Sequence, residues 1–241
     1  MVAIAGRERF CGQTPIVLNS FGDRYWKTQR VFCQYKFEKI LDVGCGDGNF
    51  SVVLREACHA KEVHGLEVTS TGVESAKKNG VLAVQLDLDR SNFPYPENLF
   101  DAVFAGEVIE HLYDPDRFLG EIFRVLKPGG ILVLTTPNLA SIHNRIALLL
   151  GFQPFCMSAS LRSNFGRIAE PASDNSLDHI RVMTLGSLRK LLEINRYKVI
   201  GVMGSGAQLP KSGFWRIAGA IDGLVTIFPG FAYRTVITCQ K

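Results

Sequence analysis

With 241 residues, 46% hydrophobic and 21% charged, the chain fits one α/β domain with insertions and is too apolar for global disorder. Its formal net charge of +4 is too small to mark an extended nucleic-acid surface. The charge is uneven: Ala140 to Ala169 hold Arg145, Arg162 and Arg167 and no acid, and from Val199 onward the single acid is Asp222.

Residues 1–38 are mixed and carry one predicted helix, 23–35, whose Tyr25 and Trp26 either pack or cover a site as part of a lid. A regular alternation follows. Strand 39–44 runs into Gly44-Cys45-Gly46-Asp47-Gly48, and a helix spans 49–58. Strand 62–67 ends on Glu67, and Thr71 with Glu74 forms a capping box for a helix that stops at Gly80. Strand 81–86 leads to Asp87-Leu88, and strand 103–105 to Gly106-Glu107. Asp114-Pro115 supplies an N-cap and a first-turn proline for a helix to Lys127. Strand 131–135 ends the regular part before Pro137. Beyond it lie a helix over 142–150, a polar stretch to Asn175, a helix over 184–195, a strand over 197–203, and a closing strand over 234–240. Such alternation predicts a doubly wound parallel sheet with right-handed crossovers. The expected organisation is a single domain over 1–241 with an N-terminal helical lid (about 1–38). Two substrate-side insertions, about 139–178 and 204–233, would complete it.

The cysteines at 11, 33, 45, 58, 156 and 239 have neither C-x-x-C pairing nor metal-ligand spacing. They fit thiols in a reducing cytoplasm better than a disulfide framework. The opening Met-Val-Ala-Ile-Ala-Gly-Arg lacks the apolar core of a signal peptide, and no run reaches the ~20 apolar residues of a membrane span. A cytoplasmic protein is expected.

Ligands of open α/β sheets bind beyond the carboxyl ends of the strands. The first such end carries three alternating glycines, which permit positive φ and close backbone approach to a ligand. A dinucleotide fingerprint needs its third glycine at position 49, which is Asn49, so the spacing favours S-adenosylmethionine over NAD. Glu67 at the second end can accept from both ribose hydroxyls. At the third, Asp87 can receive an adenine amino group while Leu88 lines the ring. The fourth end is Gly106-Glu107.

Together these residues resemble the class I S-adenosylmethionine-dependent methyltransferases, in the broad group that includes ubiquinone-biosynthesis O-methyltransferases. The resemblance rests on Leu41-Asp42-Val43-Gly44-Cys45-Gly46-Asp47-Gly48, Glu67, Asp87 and Phe100-Asp101-Ala102-Val103. It continues through Glu107-Val108-Ile109-Glu110-His111-Leu112, Leu126-Lys127-Pro128-Gly129-Gly130 and Thr136-Pro137-Asn138. It covers about 38–139, with a weaker match at 179–203. It implies a Rossmann-like seven-stranded sheet with an antiparallel last strand. It also implies that Asp42 and the glycine loop (Gly44, Cys45, Gly46) hold the methionine end, Glu67 the ribose and Asp87 the adenine. Cys45, with no basic neighbour in sequence, is read as small and buried rather than nucleophilic.

Glu107, Glu110 and His111 would share one face if the chain turns helical after the fourth strand. By resemblance, His179 can complete a divalent-cation site with them, Mg2+ being the ion considered, to grip and acidify neighbouring acceptor hydroxyls. Without a metal, Glu107 contacts the cofactor's amino group and His111 is the general base. His179 is equally an ordinary polar residue at a helix start. The apolar runs 142–157 and 214–233 either pack on each other or form a basic, greasy lip that brings the protein to a membrane surface. The expected function is methyl transfer to the hydroxyl of a small or carrier-linked substrate, such as a quinone precursor or a glycan sugar. The alternatives are an NAD-dependent oxidoreductase and a non-catalytic cofactor-binding subunit.

Overall fold

A computed structural model describes residues 22–160, 162–163, 165–168, 179–207, 219 and 222–241. Residues 1–21 of the expected lid, Asp178, and residues 214–218, 220 and 221 of the apolar run lie outside the described residues.

In chain order the elements are α1 (Asp23–Phe32), β1 (Lys39–Val43), α2 (Asn49–Ala57), β2 (Glu62–Glu67), α3 (Ser70–Lys78), β3 (Leu82–Gln85) and β4 (Phe100–Gly106). A 3-10 turn at Ile109–His111 precedes α4 (Pro115–Val125), β5 (Leu126–Pro137), α5 (Ile142–Leu149), α6 (Leu185–Ile194), β6 (Lys198–Ser205) and β7 (Arg234–Gln240). The seven strands lie in the order β3-β2-β1-β4-β5-β7-β6, parallel except for β7, which runs antiparallel to β5 and β6. The doubly wound, Rossmann-like sheet with an antiparallel last strand is therefore present.

Burial explains the order. Ile40 to Val43 in β1 are all buried, as a central strand covered on both faces requires, whereas Leu82 and Gln85 in β3 are exposed at an edge. Alternate residues feed two apolar layers. Leu41, Val103, Leu132 and Ile237 pack against α4 and α6, while Ile40, Ala102, Val133 and Val236 pack against α1, α2 and α3.

Several boundaries differ from the sequence reading. Strands β4 and β5 extend further because Phe100 pairs with Leu126 ahead of a register shift, so the Lys-Pro-Gly-Gly turn is built into the strand. The cap of α3 is Thr69, not Thr71: its extended backbone lets its hydroxyl accept from the Gly72 amide at 3.2 Å. Asp114 caps α4 as expected, accepting from the Arg117 amide at 2.9 Å. Cys45, Cys58, Cys156 and Cys239 are free and buried, but Cys33 is disulfide-bonded, against the expectation of thiols alone.

Two loop glycines carry different constraints. Gly48 caps α2 at φ +79°, where an added Cβ would stand 2.9 Å from the Ala76 Cα of α3. Gly46, at φ +55°, has no heavy atom within 4 Å of the same position. Gly48→Ala should therefore cost about 1–3 kcal/mol in urea unfolding, and Gly46→Ala less, since only backbone strain is added there.

Candidate cofactor and acceptor site

The parallel register brings the functional ends level. Val43 pairs with Leu66 and Ala105, Glu67 with Gln85, Gly106 with Thr135, and Pro137 with Arg234. Because β7 is antiparallel, its first residues join the carboxyl edge.

The loop after β1 is tied to β2. The amides of Gly44 and Cys45 both donate to the Leu66 carbonyl, at 2.8 and 3.1 Å. Gly46 donates to Glu67 Oε2 at 3.1 Å, and Glu67 Oε1 accepts from the amide and hydroxyl of Thr69 at 2.9 and 2.8 Å. Glu67 thus clamps two turns and keeps further lone pairs on a half-buried carboxylate. Asp42 lies beneath the loop, 3% exposed, and accepts from Ser51 Oγ at 2.6 Å. Burial pushes its carboxyl up to about 7. It anchors β1 to α2 under the cradle. Cys45 is buried, and burial with the nearby acids raises its thiol to about 12, so it is no nucleophile at neutral pH.

Asp87 follows β3 and is half-exposed, with Oδ1 accepting from the Asp89 amide at 3.0 Å and Oδ2 lying 3.3 Å from Arg90 Nε. Leu88 packs on the core and its carbonyl takes the Arg117 guanidinium. Glu67 closes β2 and Asp87-Leu88 follow β3, on the successive strand ends next to β1, where the sequence reading expects the ribose and adenine contacts. Free space at Gly46 and accessible carboxylates at Glu67 and Asp87 fit an adenosine-bearing cofactor with a methionine end.

The fourth end is more elaborate than the sequence suggested. Glu107 takes a left-handed backbone at φ +56°. Its Oε2 is 2.8 Å from Arg234 Nε, its Oε1 accepts from Thr135 Oγ1 at 3.2 Å, and Arg24 Nε of α1 lies 4.0 Å away. Tyr25 packs edge-on to Phe50 at 4.5 Å.

Glu110 is fully buried within the 3-10 turn. Oε2 accepts from Thr136 Oγ1 at 3.0 Å, but among the described residues Oε1 has no partner. Burial, and then the neighbouring Glu107, raise its carboxyl above the usual range. Its carbonyl accepts from Ile180 and Arg181 at 2.7 and 2.9 Å, which draws His179 in. One donor atom each from Glu110, His111 and His179 lie within 4.8 Å of one another, and the two imidazoles meet edge-on at 4.7 Å. His179 Nδ1 is 2.8 Å from the Cys156 carbonyl, and a carbonyl only accepts, so Nδ1 carries the proton and Nε2 offers a lone pair. Glu107, expected in this group, is not part of it: the arginine at the start of β7 holds its carboxylate.

Sequence reasoning passed over Arg24, Arg234 and the pair His143–Asp222, where Nε2 and Oδ1 are 3.4 Å apart. Arg234 stands 127 positions from Glu107, beyond any local spacing rule. Its one signal was a cation opening the last strand, whose antiparallel direction sends it to the ligand edge.

Comparison with known proteins agrees with this geometry. Residues 41–134 match the model of the methyltransferase domain family. A Mycobacterium tuberculosis protein named a "Probable S-adenosylmethionine-dependent methyltransferase" is 29% identical over 140 residues, 52% of this chain and 50% of its own. A Thermus thermophilus demethylmenaquinone methyltransferase is 32% identical over 124 residues, covering 48% and 56%. A Bradyrhizobium ubiquinone biosynthesis O-methyltransferase is 32% identical over 103 residues, covering 42% and 40%. The chain thus spans about half the length of the first two. An S-adenosylmethionine-dependent methyltransferase from Mesorhizobium loti shares the fold, with a TM-score of 0.59, 17% identity and coverage of 91% and 99%. Another, from Aquifex aeolicus, gives 0.56, 17%, 98% and 97%. Sheet order and the match over residues 41–134 make that stretch similar to a methyltransferase domain, and the whole chain shares the fold of S-adenosylmethionine-dependent methyltransferases.

The buried Asp42 gives a pH signature. Its folded value of about 7 exceeds the unfolded value of about 4, so the folded state holds the proton more tightly and stability falls as pH rises between them. Asp42→Asn should flatten that slope and be more stable than wild type at pH 8, by roughly 2–4 kcal/mol, in thermal or urea unfolding followed from pH 4 to 8.

Proposed function

We propose that the protein transfers the methyl group of S-adenosylmethionine to an acceptor oxygen. The observation that carries this reading is the open glycine cradle at Gly46, with the carboxylates of Glu67 and Asp87 in sequence along adjoining strand ends. When bound, S-adenosylmethionine supplies a methyl group on a positively charged sulfur. The cradle and Glu67 hold the donor, and Asp87 with Leu88 receives the adenine. Aligning the acceptor in line with the methyl and excluding water is the main catalytic demand on the chain. Glu107 is held by Arg234, so His111 takes the acceptor's proton on an imidazole nitrogen. The quinone-pathway names of two relatives, at about one-third identity over half the chain, support a ring hydroxyl as acceptor, and a glycan hydroxyl satisfies the same chemistry.

Removing a carboxylate that accepts from the adenine should raise the dissociation constant for S-adenosylmethionine about 10–100-fold in Asp87→Ala, measured by calorimetry. Equal affinities, or preferential binding of NAD, would overturn the reading. Label transfer from the cofactor across a panel of hydroxyl acceptors then separates an enzyme from a mere binding subunit.

A second reading is favoured by the unpartnered Oε1 of Glu110 beside two imidazoles. We infer that Glu110, His111 and His179 take a divalent transition ion. Two nitrogens and one oxygen suit zinc or manganese better than Mg2+, which prefers oxygen donors. Such an ion would acidify an acceptor hydroxyl. Titration with Zn2+ or Mn2+ should show one tight site that falls at least tenfold in affinity in His179→Ala, at unchanged S-adenosylmethionine affinity. Equal metal binding by the variant would remove this reading.

A further inference from the structure

We propose that α5 and the segment 223–231 form a docking surface for an anionic lipid bilayer. Helix α5 is amphipathic in the inverted sense. It buries Asn144 and Ala147, while Ile146, Leu148 and Leu149, with Leu150 at its end, are exposed, Leu149 at 85%. In most surface helices the leucines face the core and the polar residues face water. Phe152 is also exposed, and across the seam so are Leu224, Ile227 (68%), Phe228 (64%) and Phe231.

The two segments form one surface. The Ile142 amide donates to the Phe231 carbonyl at 2.9 Å, Arg145 stacks over the Phe231 ring at 5.0 Å, and Asn138 Nδ2 donates to the carbonyls of Gly230 and Ala232 at 3.0 and 3.1 Å. They are thus fixed side by side, yet their large apolar side chains point away from the fold. A contiguous exposed patch of this kind marks an interaction site.

Charge selects the occupant. Arg145 and Arg162 are exposed, and residues 140–168 contain no acid. The single acid of 222–233, Asp222, is buried against His143. Exposed apolar side chains beside Arg145, with no exposed carboxylate among the described residues of 140–168 and 222–233, suit lipid tails beneath anionic headgroups. A second copy of the chain would bring like charges together across a symmetric interface. Among the described residues no helix is long and apolar enough to cross a membrane, so the contact is peripheral. The patch follows β5 and precedes β7 at the ligand edge, so a docked molecule would face its acceptor at the lipid surface. That last step rests on the methyltransferase reading; the docking itself does not.

The full chain is tested by flotation with vesicles of phosphatidylglycerol and phosphatidylcholine, and of phosphatidylcholine alone. Wild type should bind the anionic vesicles, less so in high salt, and the double variant Leu149→Asp/Ile227→Asp should lose at least about tenfold in partitioning. Arg145→Glu should lose a smaller factor. Melting temperature and S-adenosylmethionine affinity of the double variant should match wild type, since both positions are exposed. Failure of wild type to float, or equal flotation of the double variant, overturns the proposal. So does a dimer in ultracentrifugation that the double variant disperses while vesicles stay unbound. Unchanged cofactor affinity with lost flotation separates this result from any failure of the methyl-transfer reading.

Discussion

Everything at the ligand edge depends on the pairing of β1 with its two neighbours. Val43 stands level with Leu66 and with Ala105. A one-residue slip would turn every side chain of β1 to the opposite layer and move the glycine loop away from Glu67. The loop amides would then lose the Leu66 carbonyl that holds them. That register is enforced by burial on both faces, because Ile40 and Leu41 each have a fitted pocket on opposite sides of the sheet. The position of the glycine loop is therefore a consequence of core packing, and Glu67 fastens that loop to the turn at Thr69.

Glu107 and Glu110 show how position divides the work of two acids in one turn. Glu107 lies at the end of β4, beside an arginine that enters from the opposite direction on β7, and its charge is matched. Glu110 is sealed from solvent with one oxygen satisfied by Thr136 and one left without a partner. A buried, half-satisfied carboxylate is costly unless something completes it. Folding draws His179 to that spot through the backbone of Ile180 and Arg181, so the two imidazoles and the acid meet only in the finished fold.

The surface beside this edge reverses the usual distribution of apolar side chains. Its acid, Asp222, is turned inward to His143 and the Ala207 amide at 2.7 Å, which leaves the rim basic. The same contacts that fasten the segment after β6 to α5 thus clear negative charge from the face that carries the exposed leucines and phenylalanines.

The sheet, and the strand ends on which the candidate cofactor residues stand, were legible because they are local. Apolar runs punctuated by glycine, and an acid at each strand end, are written within short stretches, and parallel pairing aligns such ends whatever the remaining chain does. Asp42, Glu67, Asp87 and Leu88 all follow that rule. Boundaries at Thr69 and Leu126 were not legible, since the cap depends on which threonine is extended and the strand on pairing with Phe100. At the fourth strand end the resemblance had joined Glu110 and His111 to His179, but Glu107 with Arg234 and His143 with Asp222 join residues far apart in the chain and were not legible. The sequence by itself determined the alternating sheet and the glycine loop that closes its first strand. Only the tertiary structure decided which acid is neutralised, which is buried without a full set of partners, and which apolar side chains remain on the surface, because those outcomes arise from long-range contacts that carry no local spacing.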